Sequence, residues 1–508
     1  MGIQEFREKV NLRLYTSKGL VNKIMKTAVF VASITAIATL VYYYGFPQTE
    51  SSKVLLINIF KGTFLIYIGN YFVQFIYDFE PLTFLKRTWI EGLVMLFLIV
   101  EGISYNLFDH LLLTSFFENF GFDKVGEYSN LLIQLYFLVV VWYEIAKGSN
   151  ILPKLKLNPS GLFLGIFLVI MSAGAGLLML PEMTTIEGGM SFVDALFTST
   201  SAATVTGLSV QDTANFFTFK GQFIILLLIK LGGLNVIAFG SFIALFSKFG
   251  VGVKQHSVIE DFFNKGNLMS ARGMLAKVII WSIFIEAIGT LIIFFAWSDS
   301  IAFRSVGDKL FSSIFHSVSA LNSAGFSLFS DGLYEDGVRD NYLVHNILCV
   351  LLFLGAIGFM AIFDLFSITR IRERIKMPWK KMQFATKISL YTSLWLIGIG
   401  ALFFYLFEGD HSLAGEENPL IKISHSIFQS VTTRSGGLNT VDISALSLPT
   451  VVIFIFLMIV GGASSSTGGG IKTSTFAIIW AATISTIKNK KRTELYSYNI
   501  PVALVLRA

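Results

Sequence analysis

Three short segments repeat one order of residue types: FTSTSAATVTGLSVQDT from Phe197, FHSVSALNSAGFSLFSD from Phe315 and FQSVTTRSGGLNTVD from Phe428. Each has Phe-x-Ser, a run of small residues, and a glycine before a bulky apolar residue: Gly207 before Leu208, Gly325 before Phe326, Gly437 before Leu438. The Phe-to-Gly separation is ten, ten and nine residues. Such residues offer coordination rather than nucleophilic or acid-base chemistry. Backbone carbonyls gathered from several such segments around one axis can replace the water around a dehydrated cation. Glycine lets them point inward without a Cβ clash, and the C-terminal ends of short helices add negative potential. Small residues also let helices pack closely in membranes. One segment alone would be read that way; three in the same topological slot point to a pore.

The elements that position these segments follow from composition. The chain has 508 residues, 54% hydrophobic and 14% charged, with mean hydropathy +0.68, against roughly 25% charged in soluble domains. This excludes a water-soluble protein. Apolar runs of spanning length lie near 27–45, 54–76, 89–108, 130–146, 161–180, 222–246, 275–297, 343–367 and 388–407, with an interrupted tenth over 451–487. Basic flanks mark the inside: Arg7 to Lys26 before the first run, Lys86 with Arg87, Lys147 to Lys156, and Arg370 to Lys387. The stretch with Glu408, Asp410, Glu416 and Glu417 has no Lys or Arg and belongs outside. The net charge of +6 therefore orients the chain in a membrane, with the N-terminus cytoplasmic, rather than marking a nucleic-acid surface. Cys349 stands alone, so neither an internal disulfide nor a cysteine metal cluster is available.

The three segments are too short to cross about 30 Å of hydrocarbon, and a crossing at each would invert the basic loops that follow. Each is expected to enter from outside as a short helix, stop mid-membrane and return as extended chain, which is tolerated only where protein or a water-filled pathway shields the backbone. Val451–Val460 and Phe476–Ile487 are likewise too short to cross alone. With GGASSSTGGGIKT between them they form one broken helix with a loop near mid-membrane; a linker at the inner surface is the alternative.

The segments TVTGL, NSAGF and TTRSGGLNT, with GGASSSTGGGIKT, resemble those of the Trk/Ktr/HKT superfamily of potassium transporters, over roughly residues 155–508. The fold class implied is an all-α polytopic membrane protein of M1-P-M2 re-entrant pore-loop repeats, three present of an expected four, preceded by four extra N-terminal helices. The expected divisions are a basic cytoplasmic N-terminus (1–26), four N-terminal helices (27–150), three repeats (155–250, 270–370 and 384–490), and an inside loop leading into a further helix (491–508). The filter glycines are separated by 118 and 112 residues. A fourth would fall near 549–555 if that spacing continued, so the sequence is expected to lack the fourth unit; completion by a neighbouring subunit is the other possibility.

The resemblance implies a selectivity filter made by Thr204, Val205, Thr206 and Gly207, by Asn322, Ser323, Ala324 and Gly325, and by Ser435, Gly436 and Gly437, with K⁺ held at backbone carbonyls only. Gly at position 207 goes with K⁺ permeation in the family, where Ser is associated with Na⁺. The resemblance also implies an intramembrane gate over Gly461, Gly462, Ser466, Thr467, Gly468, Gly469, Gly470 and Lys472. It implies a homodimer and a cytosolic nucleotide-binding regulatory subunit of the TrkA/KtrA type, K⁺ as the transported ion, and no cofactor. The setting is the cell inner membrane and its lipid.

Other polar residues lie within apolar runs. Lys230 either lines the inner vestibule or pairs with Glu286 or Asp364, and pairing avoids an isolated intramembrane charge. Arg434 is expected to brace the filter through backbone or carboxylate bonds. Asp212 and Asp442, each five residues after its glycine, suit either cation attraction at an outer mouth or turn capping. His316 and His425 read as packing residues, and Glu101 and Glu144 as bonds between N-terminal helices. An ion-coupled secondary transporter is the rival function, disfavoured because the three repeats share one orientation. An enzyme is not expected: no His/Glu metal pair, Ser/His/Asp set or phosphate loop is visible.

Overall fold

The computed structural model describes residues 3–78, 81–89, isolated positions from 92 to 104, 159–246, 271–298, 301–490 and most of 492–505. The chain divides into two units, residues 1–158 and 159–508.

In the first unit, α1 (Ile3–Gly45) and α2 (Glu50–Tyr77) are joined by a short turn, and α3 (Pro81–Arg87) follows. Thr49 caps α2 by accepting from the Ser52 N–H at 3.3 Å. Val29, Ala32, Ala36 and Leu40 of α1 pack on Phe60 and Tyr67 of α2, and Ser33 and Tyr67 share a buried hydroxyl bond. The basic N-terminal segment is helical and continuous with the first apolar run. It continues the same helix from Ile3, because nothing between Gln4 and Lys26 breaks a helix apart from Gly19. By length and composition α1 and α2 could each cross a membrane; Glu101, Glu144 and the run near 130–146 lie outside the described residues.

In the second unit a long helix, a short helix and a further helix occur three times. The first set is α4 (Pro159–Leu178), α5 (Phe192–Ala203) and α6 (Phe219–Phe246). The second is α7 (Ala271–Ala296), α8 (Val306–Leu321) and the pair α9 (Tyr342–Ile357) and α10 (Phe359–Phe366), followed by α11 (Ile368–Lys376). The third is α12 (Phe384–Glu408), α13 (Pro419–Thr432), and α14 (Leu448–Ile459) with α15 (Thr473–Ile487).

The short helices start where capping residues dictate. Ser191 and Ser305 accept from the N–H of Asp194 and Asp308 at 3.2 and 3.1 Å, with those aspartates in the first turn. Asn418 accepts from the Leu420 N–H at 3.0 Å, ahead of Pro419. At about 1.5 Å per residue each short helix is well under the hydrocarbon thickness.

One interlocking contact is repeated in all three sets. Ser199, Ser317 and Ser430 of the short helices donate to the carbonyls of Met171, Glu286 and Ile397 at 2.8, 2.9 and 2.8 Å. Three residues after each carbonyl comes a glycine, Gly174, Gly289 or Gly400, whose absent Cβ would collide with that serine and with Leu228, Leu351 or Leu457 of the following helix. Small residues thus set the helix spacing, as they do in membranes generally.

Two departures from the sequence expectation matter. The run 343–367 is not one straight span: it turns by 105° between α9 and α10 at Gly358, whose φ is +84°. Residues 493–500, expected as an inside loop, form an antiparallel hairpin, β1 (Thr493–Leu495) with β2 (Tyr498–Ile500), after which Val505 N–H bonds to Pro501 O at 3.3 Å. Tyr498 packs on Phe384 at 4.6 Å between ring centroids, and Leu495 and Tyr496 cover Ile388 and Ala477. These apolar partners favour a strand pair over the solvated loop that the lysines suggested.

Candidate ion pathway

The short helices α5 and α8 end in the same way. Thr206 N–H bonds back to Ser201 O and Ala324 N–H to Ser319 O, both at 2.8 Å; Val205 N–H bonds to Ala202 O and Ser323 N–H to Ala320 O. This is the double return bond of a Schellman end, which needs a left-handed residue at its turn. Here that residue is not glycine: Val205 and Ser323 have φ of +53° and +56°. A β-branched residue in this region is a genuine backbone outlier, and such strain persists where surroundings over-determine it, often at functional sites. α13 ends differently: Thr432 O receives both the Gly436 and Gly437 N–H groups. That matches its shorter Phe-to-Gly spacing.

After each helix the left-handed conformation recurs at alternate residues: 205 and 207, 323 and 325, 435 and 437, with φ of +83°, +73° and +77° at the three glycines. In an ordinary strand successive carbonyls alternate sides. Inverting φ at every second residue works against that alternation and turns carbonyls toward a common side.

The three glycines meet. A Cβ on Gly325 would lie 3.0 Å from Gly437 Cα and 3.4 Å from Gly207 Cα, and one on Gly207 would lie 2.5 Å from Ala324 O. Gly325 therefore sits between the other two. Thr204, Asn322 and Arg434 occupy the position three residues before each glycine. Asn322 and Arg434 are buried and reach back to the surrounding helices. Ser319 Oγ donates to Phe326 O and Thr432 Oγ1 to Leu438 O, at 2.7 and 2.6 Å, tying each return strand to its own helix. Among the described residues the first repeat shows no counterpart to this tie: the buried Ser201 hydroxyl is without a partner.

Behind the second strand lies a buried ion pair. Lys230 Nζ donates to both Glu286 carboxylate oxygens and to Ser282 Oγ, each at 2.7 Å. Glu286 Oε1 also accepts from Asn322 Nδ2 at 3.0 Å and Ser282 Oγ at 3.2 Å. Of the partners considered for Lys230, the structure selects Glu286. Asp364 is instead bound by Arg370 and Arg374, at 2.7 and 2.8 Å. A salt bridge thus joins α6 to α7 and holds the Asn322 side chain behind the second strand.

Arg434 performs the corresponding task for the third strand, with carbonyl partners rather than a carboxylate. Its guanidinium donates to Val460 O at 3.2 Å, Gly461 O at 2.7 Å and Ser393 O at 3.4 Å. The first two are the first carbonyls beyond α14, at the start of the break between α14 and α15.

The loop in that break is ordered by its own bonds. Val460 and Ile471 form a parallel bridge, Gly462 N–H bonds to Gly469 O at 3.3 Å, and Lys472 Nζ donates to Gly468 O at 2.7 Å. Lys472 therefore cross-braces the loop. Gly461 packs so tightly on Gly469 and Gly470 that no Cβ fits. Thr467 Oγ1 lies 3.4 Å from both Leu321 O and Ser323 Oγ, and Gly469 N–H donates to Ser435 Oγ at 3.0 Å. The loop thus contacts strands two and three on the side that precedes their glycines.

The same loop repairs the bend at Gly358. Ala463 N–H bonds to Ala356 O at 2.8 Å, and Phe359 N–H to Ser465 O at 3.1 Å. Backbone groups freed by the interrupted helix are satisfied by Ser465 and Ala463, as buried peptide groups must be. Sequence reasoning missed this partner of the loop.

On the opposite side of the glycines lies a cavity of about 510 Å³ bordered by Gly207, Asp212, Gly325, Ser327, Asp331 and Asp442, with no Lys or Arg among its described lining. Asp212 accepts from Ser330 Oγ at 2.6 Å, Ala214 N–H at 2.9 Å and Asn215 Nδ2 at 2.9 Å; Asp442 accepts from the Ser444 N–H at 2.9 Å and Oγ at 2.6 Å. Both aspartates cap turns and also border the cavity. Partial burial pushes the Asp212 carboxyl up, but bonds from Ser330, Ala214 and Asn215 outweigh it and hold the value below the usual one; the Ser444 bonds hold Asp442 below it as well. Groups depressed in this way keep their charge as pH falls and lose it only below the ordinary carboxylate range of about 3.9. Exchanging both for asparagine is expected to raise the half-saturating cation concentration roughly two- to fivefold at unchanged maximal rate. In the native protein that concentration is expected to stay level from pH 7 to about 5 as far as these two groups set it.

His316 and His425 are buried packing residues: His316 Nδ1 meets Ser312 O at 2.8 Å and Nε2 meets Ser327 Oγ at 3.0 Å, while His425 Nδ1 meets Thr440 Oγ1 at 2.9 Å. His345, which the sequence reading passed over, packs against His425 and Phe428. Among the described residues no group of three His, Cys, Asp or Glu is placed to hold a metal.

Known proteins resemble this chain in sequence and fold. The Ktr system potassium uptake protein B of Bacillus subtilis (strain 168) is 34% identical over 357 residues, covering 69% of this chain and 75% of that protein. The potassium/sodium uptake protein NtpJ of Enterococcus hirae is 30% identical over 360 residues, covering 70% and 75%. The crystal structure of the potassium transporter TrkH from Vibrio parahaemolyticus superposes with a TM-score of 0.53 over 82% of this chain and 79% of that one; at 17% identity it speaks for the fold alone. The sequence model of TrkH, described as a cation transport protein, matches residues 169–505, nearly all of the second unit. The chain therefore belongs to the TrkH family of cation transport proteins.

Proposed function

We propose that this protein takes up K⁺ across the cytoplasmic membrane, selecting the ion at the strands 204–207, 322–325 and 435–437 and gating it with the loop 461–472. The reading rests on one observation above the others: three glycines of positive φ, each at the end of a short helix, come together. Carbonyls of these strands supply the ligands that replace water around K⁺. An ion passing at this level must either part the glycine Cα atoms or run along the face that the carbonyls present. The short helices aim their C-terminal ends at the strands, adding negative potential where the ion loses water. Asp212, Asp331 and Asp442 collect cations in the cavity on one side. The loop blocks the other side, held by Arg434, Ser435 and Thr467, and Lys472 adds a positive charge to it.

Related proteins whose names specify potassium uptake support K⁺ as the ion. The name of the Enterococcus protein includes sodium, which keeps Na⁺ as the second reading, either as a competing or a coupled ion. The N-terminus is placed in the cytoplasm, so that the basic α11 faces inward. A homodimer and a cytosolic nucleotide-binding regulatory subunit complete the proposed assembly. The test is growth of a K⁺-uptake-deficient bacterium on limiting K⁺. Expression of this chain is expected to restore growth and Rb⁺ uptake; membrane-inserted protein that restores neither would sink the reading.

A further inference from the structure

The bend at Gly358 carries α10 away from the line of α9 and leads into α11, which is unlike the other helices of the second unit. Its apolar residues Ile368, Ile371 and Ile375 recur at helical spacing on one face, and none of its residues is buried. Ile368 is 66% exposed, Ile375 74%, and Trp379 just beyond it 75%. Beside this stripe stand Arg372 and Lys376, with Lys381 close behind in sequence. The remaining charges of the segment are already used: Arg370 and Arg374 bind Asp364, and Lys380 binds Glu373 at 2.6 Å. Among the described residues no carboxylate is recorded pairing with Arg372, Lys376 or Lys381. Only seven residues separate Lys376 from Phe384, where the apolar span α12 begins, so α11 is confined to the membrane surface at the foot of that span.

We propose that α11 and the segment after it dock on anionic lipid headgroups of the leaflet they face, and that this contact sets the position of the gate loop. Ile368, Ile371, Ile375 and Trp379 enter the headgroup–acyl boundary, where tryptophan is favoured. Arg372, Lys376 and Lys381 meet lipid phosphates, whose charge they complement. The mechanical link is short. α11 is fastened to α10 through Asp364, which is 2% exposed and also accepts from the Gln383 N–H at 3.0 Å. At its other end α10 begins at Phe359 and Met360, whose N–H groups bond to Ser465 O and Oγ of the gate loop at 3.1 and 3.3 Å. Movement of α11 on the lipid surface therefore reaches the loop through one eight-residue helix. An acidic protein surface would complement the same charges, but isoleucines and a tryptophan exposed at the foot of a span suit a lipid boundary better. The gating half of the proposal rests on the transport reading above; the docking half does not.

The test uses the single native cysteine. In a Cys349→Ala background, Ile375→Cys labelled with an environment-sensitive fluorophore is reconstituted as the full chain in vesicles of phosphatidylcholine, and of equal parts phosphatidylcholine and phosphatidylglycerol. Emission is expected to shift to the blue in the phosphatidylglycerol vesicles. The shift should weaken with salt, be lost in the Arg372→Gln/Lys376→Gln/Lys381→Gln variant, and survive the charge-preserving Arg372→Lys exchange. Rb⁺ flux in the same vesicles is expected to change by about fivefold with phosphatidylglycerol, the factor that one basic residue contributes at an anionic surface, and the triple variant should not respond. Emission identical in the two lipids overturns the proposal and leaves the face to a protein partner. A normal shift with no Rb⁺ flux in either vesicle supports docking and contradicts the transport reading; a normal shift with flux indifferent to phosphatidylglycerol overturns the link to the gate.

Discussion

Glu286→Gln is expected to destabilise the protein by about 3–5 kcal/mol, because it leaves the Lys230 ammonium in a buried site without its counter-charge. Lys230→Met should cost a similar amount by stranding the Glu286 carboxylate. The double variant Lys230→Met/Glu286→Gln should recover most of the loss, since a buried ion pair exchanged for neutral groups of similar size is often tolerated. The coupling arises from the bonds of 2.7 Å from Lys230 to both carboxylate oxygens and from the low exposure of the two side chains, 19% and 8%. Thermal unfolding of the purified single and double variants measures it. Losses that simply add would mean that the pair is not coupled as the geometry implies. Selectivity supplies a second readout. Glu286 anchors Asn322, three residues before Gly325, so the Gln variant should discriminate less well between Rb⁺ and Na⁺ even where it folds.

The second large effect is expected at Gly325. Alanine there places its Cβ 3.0 Å from Gly437 Cα and 3.4 Å from Gly207 Cα, and must hold a φ of +73°. The left-handed conformation costs about 1–2 kcal/mol and overpacking about 1–3 kcal/mol. If the strands carry the ion, a mismatch of about 3 kcal/mol reduces flux on the order of 100-fold. Gly398→Ala is the control: it lies mid-helix in α12 with nothing within 4 Å of its would-be Cβ, so uptake should be unchanged. Membrane-inserted Gly325→Ala transporting at the native rate would remove the glycines from the pathway.

The three short helices and the glycines that follow them could be read from residue order because their signal is repeated. One Phe-x-Ser-to-Gly segment is ambiguous; three at similar spacing mark a repeated unit, and in each the short helix leads to a glycine of positive φ. The left-handed backbone at Gly207, Gly325 and Gly437 was legible because glycine is the residue that adopts it freely. The same conformation at Val205, Ser323 and Ser435 was not, since nothing in those side chains announces it. Lys230 showed that a partner was needed, but two carboxylates on other spans qualified and sequence carries no register between helices; contact with Asn322 added a third member that pairing rules do not suggest.

The serines of the short helices were legible only as small polar residues. Their shared bond to the carbonyl three residues before Gly174, Gly289 or Gly400 depends on tertiary packing. Gly358 was hidden for the opposite reason. LGAIGFMAIF is free of polar side chains, and its two glycines, Gly355 and Gly358, cost a helix only about 1 kcal/mol each. The bend is stabilised from more than a hundred residues away, by Ser465 and Ala463 of the loop between α14 and α15. The hairpin after Arg492 was obscured by its lysine-rich approach, while its aromatic contacts with Phe384 come from another helix.

The most direct test of selection at the three strands is Rb⁺ uptake in K⁺-uptake-deficient cells, with K⁺ or Na⁺ as competitor, for the native protein and for Gly207→Ser. A side chain at 207 meets Ala324 O at 2.5 Å and Gly325 Cα at 3.1 Å, which disturbs the second strand as well as the first. K⁺ should suppress Rb⁺ uptake by the native protein far more strongly than Na⁺ does, and Gly207→Ser should erase most of that difference. Equal suppression by both ions in the native protein, or a Gly207→Ser variant that keeps the native preference, would contradict the assignment.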